Sequence, residues 1–189
     1  MLKEVIDETT AAVVAAVQGT DDIMTAVTGA VKHQIISVFK GTGEVGGAGI
    51  EAVSSVAAGA IHGVGQVGAS ATEAAGHVVH AAIAGVSQAG GDVIAATREA
   101  AHGVIHATGE TGGDIAAAAV STVEGAVKGA GEVGADTAAA AKAAVGGTLD
   151  AAGEVGGDAG EKVRSALLAS AALPRDVVES AIKGHGEKK

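Results

Sequence analysis

Between residues 41 and 172 the polar positions keep a strict beat. The stretch divides without a gap into six blocks of 22 residues, from GTGEVGGAGIEAVSSVAAGAIH to AAGEVGGDAGEKVRSALLASAA. Each block divides again into two halves of 11, as in GVSQAGGDVIA followed by ATREAAHGVIH. Eleven residues fit three helical turns at ~3.67 residues per turn, so a sustained repeat of this kind implies a straight or weakly right-handed coiled coil. Wound on a helix, positions 4, 8 and 11 of each half form one narrow polar stripe. It holds Glu44, Glu51, Glu73, Asp92, Glu110, Asp114, Glu132, Asp136, Glu154 and Asp158, with Ser55, His62, His77, Glu99, His106, Ser121, Lys128 and Asp150. The rest is nearly all Val, Ile, Ala and Gly, including Val45, Ile50, Val56, Ile61, Val67, Ile83, Ile94, Ile105 and Val133. A helix with so wide an apolar face must bury most of its circumference.

The glycines allow two architectures. Position 6 of every block is Gly: Gly46, Gly68, Gly90, Gly112, Gly134 and Gly156. Clusters such as GTGEVGG are plausible helix breakers, and two short helices per 44 residues would then stack as a solenoid. The polar stripe keeps its phase through every cluster, however, which favours helices running straight through. The expected fold is therefore all-α: long Gly/Ala-rich hendecad-repeat helices in a straight or right-handed coiled-coil or bundle assembly. The repeat holds 27 of the 31 glycines. At ~1 kcal/mol each relative to Ala, that opposes a lone continuous helix by about 25 kcal/mol. Close approach of helix backbones is the offset expected, with the six position-6 glycines as the helix-contact residues. On that reading the chain is a homo-oligomer.

The ends differ. Residues 1–40 carry larger apolar residues, among them Val13, Val27, Val31, Ile35 and Phe39, and read as an N-terminal amphipathic helical cap. Residues 19–40 resemble a worn seventh block. The segment 173–189 holds the single Pro, Pro174, followed by Asp176, Glu179, Lys183 and Gly184, and reads as a short C-terminal helix and tail.

Composition narrows the function. Phe39 is the only aromatic residue, and Cys, Trp and Tyr are absent, so there is no thiolate metal site, no Cys nucleophile and no large-residue core. A net charge of −10 excludes nucleic acid as an expected partner and disfavours electrostatic binding to anionic lipid. MLKEVIDETT lacks the apolar run of a signal peptide, so a cytoplasmic or membrane-associated location is expected. Residues 52–72 and 74–91 lack formal charge and approach bilayer-spanning length. Their Ala, Gly and Ser content makes them marginal spans.

Little in the chain suggests chemistry. Glu73, His77 and His80 lie at i, i+4, i+7, and Glu99, His102 and His106 at i, i+3, i+7. Imidazole and carboxylate on adjacent turns are a possible metal-ligand pattern. Glu99-x-x-His102 resembles the Glu-x-x-His of di-iron bundles, which would imply an oxygen-activating site. Membership of the polar stripe explains the same residues. GTGEVGG shares only its glycines with a phosphate-binding loop, and no Ser-His-Asp arrangement is arguable. The chain is expected to be no enzyme and to need no cofactor.

Eleven-residue helical repeats resemble three groups. VSSVAAGAIHGV and AAGHVVHAAIAGV look like the lipid-coating repeats of synucleins and, more loosely, perilipins and apolipoproteins, without their Lys-rich KTKEGV-type core. Group 3 late-embryogenesis-abundant proteins share the period and the low aromatic content with far more charge. The Ala/Gly-rich, weakly charged blocks over 41–172 are most similar to bacterial transmembrane hendecad coiled coils. That resemblance implies parallel right-handed oligomers in or across a membrane. The function expected is a structural, self-assembling, membrane-associated repeat protein. The alternatives are a stress protectant or lipid-surface protein that folds on its partner, and a metal-binding helical bundle.

Overall fold

The protein is all-helical. The structure, a computed structural model, describes residues 2–42 and 47–186. Among these the chain order is α1 (Leu2–Gln18), α2 (Ile23–Thr42), α3 (Gly47–Gln66), α4 (Ala71–Ala89), α5 (Val93–Glu110), α6 (Ile115–Glu132), α7 (Thr137–Val155), α8 (Ala159–Ala169) and α9 (Arg175–Gly186). Each 22-residue block thus supplies one helix boundary. The expected long helices are broken at the glycine clusters, and the solenoid-like alternative is what forms.

The turns follow from three residues each. Gly68, Gly90, Gly112 and Gly134 have φ between 72° and 79°, a left-handed conformation that carries no Cβ penalty only in Gly. At each, two crossed hydrogen bonds close the helix. At the first, Gly68 N–H donates to the Gly65 carbonyl at 3.1 Å and Ala69 N–H donates to Val64 at 3.0 Å. This pairing satisfies two orphan carbonyls of the last turn. Two residues after the glycine, a short polar side chain starts the next helix. Asp92 Oδ1 accepts from Ile94 and Ala95 N–H at 3.0 Å, Asp114 from Ala117 at 3.0 Å, and Asp136 from Ala139 at 2.9 Å. Ser70 does the same more weakly for Glu73 N–H at 3.3 Å. The acids at block position 8 are therefore helix caps. They do not continue the polar stripe. At the last turn, Gly156 and Gly157 both have positive φ, and Asp158 makes no side-chain cap bond.

A turn of three or four residues sends each helix from α4 to α8 back along its predecessor. The strongest packing is then between helices two apart, α1·α3, α3·α5 and α5·α7 in one layer and α2·α4 and α4·α6 in the other, with weaker α7·α9 and α6·α8 contacts extending the two layers. Within a layer the helices are parallel, because the sequence offset between touching residues stays nearly constant. Thr10 meets Gly59, Ser54 meets Gly103, Gly76 meets Gly125 and Arg98 meets Gly147, all 49 apart.

These contacts relocate the close-packing glycines. The position-6 residues Gly68, Gly90, Gly112, Gly134 and Gly156 have open space where a Cβ would stand. They are turn formers and make no helix contact within the chain; Gly46 lies outside the described residues. The close approach occurs instead at block position 19. A Cβ on Gly59 would lie 2.6 Å from the Ile6 carbonyl oxygen. On Gly103 it would collide with the Ser54 backbone, on Gly125 with that of Gly76, and on Gly147 with that of Arg98. Four residues later, at position 1 of the following block, Gly63 faces Val13, Gly85 faces Ile35 and Gly129 faces His80. A small-xxx-small face on each helix thus seats the helix two before it.

Between the layers the larger side chains fill what remains. Ile61, Ile83 and Ile105, each 22 residues after the last, are fully buried, and Leu149 nearly so. Phe39, Val27, Val31 and Ile35 extend this core into α2. Buried threonines donate back into their own helices, as Thr97 does to the Val93 carbonyl and Thr108 to Val104, each at 2.7 Å. The array starts with α1 and α2. Asp22, which accepts from Thr25 N–H at 3.1 Å, starts α2 four residues before block phase would place a cap. Residues 19–40 therefore join the stack without obeying the block phase. At the other end α9 follows Pro174, whose carbonyl accepts from Val178 N–H.

Two variants separate the glycine roles. Gly125→Ala should lower the unfolding free energy by about 1–3 kcal/mol through overpacking against Gly76. Gly29→Ala, in α2 with nothing within 4 Å of the new Cβ, should raise it by up to ~1 kcal/mol. Asp114→Ala should cost about 1 kcal/mol by removing a cap. Urea unfolding followed by circular dichroism reads all three.

Candidate functional site

The outer faces of the two layers carry a repeated polar contact. Every repeat helix from α3 to α7 ends without a basic residue in its last turn. Glu110, Glu132 and Glu154 instead stand at the ends of α5, α6 and α7, where the helix dipole disfavours negative charge. Each is met by an imidazole from the helix two before it. His62 Nε2 of α3 lies 3.1 Å from Glu110 Oε2, His80 of α4 lies 2.7 Å from Glu132, and His102 of α5 lies 3.1 Å from Glu154. These rungs tie parallel neighbours together at the end where the carboxylates would otherwise be uncompensated.

The rungs have electrostatic consequences that differ by position. The hydrogen bond from His80, and then its charge, hold the Glu132 carboxyl below the usual glutamate range, with Lys128 adding a smaller pull. Asp22 is likewise lowered, chiefly by the Thr25 hydroxyl and amide. Glu110 has a second imidazole, His106 of its own helix, at 3.6 Å. The His102 and His106 rings stack with centroids 6.1 Å apart.

The six candidate metal ligands do not converge. Glu73, His77 and His80 line a depression between α4 and α6, together with Gly76, Glu124 and Lys128. Glu99 and His102 line a different one between α5 and α7, with Arg98, Asp150 and Glu154. Because α4 and α5 belong to different layers, the two clusters cannot combine. His80 and His102 are already engaged by Glu132 and Glu154. Among the described residues no group of three or more His, Asp or Glu could hold a metal ion. Facing the Glu99-x-x-His102 pair, α7 offers Glu154, already bonded to His102, and no second Glu-x-x-His.

A third polar assembly joins α5, α7 and α9. Arg98 Nη2 donates to Asp150 Oδ2, and His185 Nε2 lies 3.6 Å from Asp150 Oδ1 with its side chain 11% exposed. Asp150 therefore anchors the terminal helix α9 to the rest of its layer. The sequence pattern puts Asp150 and His62 on the polar stripe and does not single out Arg98, Lys142 or His185. The signal available was an offset of 48 to 52 residues between complementary charges, which becomes visible only once helices two apart are known to be parallel.

The Glu132 contact predicts a pH dependence. A carboxyl with a lowered folded-state pKa stabilises above its unfolded value and loses that contribution as pH falls through the folded value. Glu132→Gln should therefore lower the melting temperature slightly at pH 7. The difference from wild type should vanish in acid below the usual glutamate range. A gap that persists unchanged in acid would mean that the pair contributes through packing alone. No family model matches the sequence, and no curated protein matches it significantly.

Proposed function

We propose that this chain is a non-catalytic structural repeat protein, a self-contained two-layer helix array that acts as a rigid scaffold with charged outer faces. The observation that carries this reading is the row of backbone-close contacts at Gly59, Gly103, Gly125 and Gly147. It meets inside one chain the packing requirement that sequence alone assigns to neighbouring chains. The depressions on the outer faces are open, and His80 and His102 beside them are engaged in inter-helix rungs. These features favour a structural role over catalysis.

The same packing weighs against the rival roles. Among the described residues the large hydrophobics left exposed are Leu2, Val155 and Leu168, scattered too thinly to drive self-assembly. The terminal helices carry charge outward, at Lys3, Glu4, Asp7 and Glu8 on α1 and at Arg175, Asp176 and Lys183 on α9. Polar terminal helices cap a repeat array and oppose end-to-end growth. No described helix is long and apolar enough to cross a membrane, which removes one support for a transmembrane coiled coil.

Circular dichroism and sedimentation velocity in detergent-free buffer test the proposal. The expected outcome is a strongly helical single species near 17.8 kDa, unchanged by neutral or anionic vesicles. A defined multiple of that mass would restore the self-assembly reading. Coil that turns helical only with vesicles would replace the scaffold with a lipid-surface protein.

A further inference from the structure

A cleft of about 500 Å³ opens between α5, α7 and α9. Arg98, Lys142 and His185 stand around it, and Ile94, Ala143 and Ala181 supply apolar wall. Two of the chain's 12 Lys and Arg, with His185 beside them, stand out around one cleft in a chain with net charge −10. Anchoring α9 through Asp150 accounts for Arg98 and His185. It does not account for Lys142, which is exposed and makes no ion pair among the described residues.

We infer that this cleft binds a small organic anion, a monocarboxylate with a short alkyl chain. Asp150 takes the Nη2 arm of the Arg98 guanidinium. The Nη1 arm lies over Gly146, close enough that a Cβ there would stand 2.9 Å from it. Gly146 thus leaves room for the guanidinium at the edge of the cleft. The Arg98 donors not used by Asp150 and the Lys142 ammonium offer charge-assisted hydrogen bonds to a carboxylate. Asp150 cancels one positive charge, so the site retains about one unit from Arg98 and Lys142 together. That balance suits a monoanion better than a dianion. Walls of Ile94, Ala143 and Ala181 give an alkyl tail apolar surface, while their small side chains keep the space open.

The test is a two-dimensional NMR titration of the intact 17.8 kDa chain with sodium butyrate, with sodium phosphate, and with sodium chloride at matched ionic strength. Butyrate should give saturable amide shifts concentrated at Ala143, Gly146 and Ala181. Lys142→Gln should weaken its affinity roughly tenfold, with the rest of the spectrum preserved. Ala181→Leu, which fills the cleft from α9, should abolish saturation while retaining butyrate-independent peak positions in α1 to α4. Shifts no larger than those with chloride, or butyrate binding unchanged in Lys142→Gln, would overturn the site. Phosphate binding as tight as butyrate would overturn the assignment of an alkyl-bearing ligand.

Discussion

Everything in this molecule depends on parallel helices, two apart in sequence, meeting backbone to backbone. A chain with one aromatic residue cannot fill wide gaps between helices, so the gaps must be narrow. Narrowing requires that a Cα–H replace a side chain where the axes come closest. Position 19 of the block supplies it, at Gly59, Gly103, Gly125 and Gly147. Four residues on, Gly63, Gly85 and Gly129 extend the seat by a turn. The helix propensity lost at these glycines is returned as dispersion contact along the seam. Elsewhere in the same blocks Gly serves an unrelated purpose, reversing the chain where φ is positive.

The rest of the architecture follows from that spacing. Helices so close within a layer bring the carboxylates at their C-terminal ends into line with side chains one layer-step back. His62, His80 and His102 occupy those places and hydrogen-bond Glu110, Glu132 and Glu154. Exposed pairs of this kind contribute modestly to stability. Their stronger effect is on register: a helix slipped by one turn would leave the imidazole beside a different block position and the carboxylate alone at an unfavourable dipole end. Cap residues, glycine seats and rungs thus specify one alignment by three independent chemistries.

Much of this was legible in the residues, but the decisive ambiguity was not. Helical content and the 22-residue unit follow from pattern and composition, and so does the expectation of close glycine contacts. The unbroken phase of the polar stripe argued for continuous helix, because a variable turn would lose it. The turns here are not variable. Four of them are built from a left-handed glycine, a small residue and a polar cap, so phase survives through their constant 22-residue spacing rather than through helical continuity. That equivalence moved Asp92, Asp114 and Asp136 from an imagined stripe to N-caps. It also moved the contact role from position 6 to position 19. The His clusters read as possible metal ligands because a single helix was considered. His80 and His102 pair instead with Glu132 and Glu154, 52 residues away, at a separation that local spacing does not encode.

The same economy of side-chain size bears on what such a protein can do. Large side chains let a core yield by changing rotamers, whereas Ala and Gly have no rotamers to change. An array whose layers are seated on backbone atoms therefore deforms mainly by sliding whole helices, and sliding is opposed at every rung and turn. Stiffness of this kind suits a scaffold better than a switch. The place where it relaxes is the end of the array, where α8 is short, Asp158 makes no cap bond and α9 is held through Asp150. The cleft lined by Lys142 lies there, where a bound molecule could touch three helices and still find room.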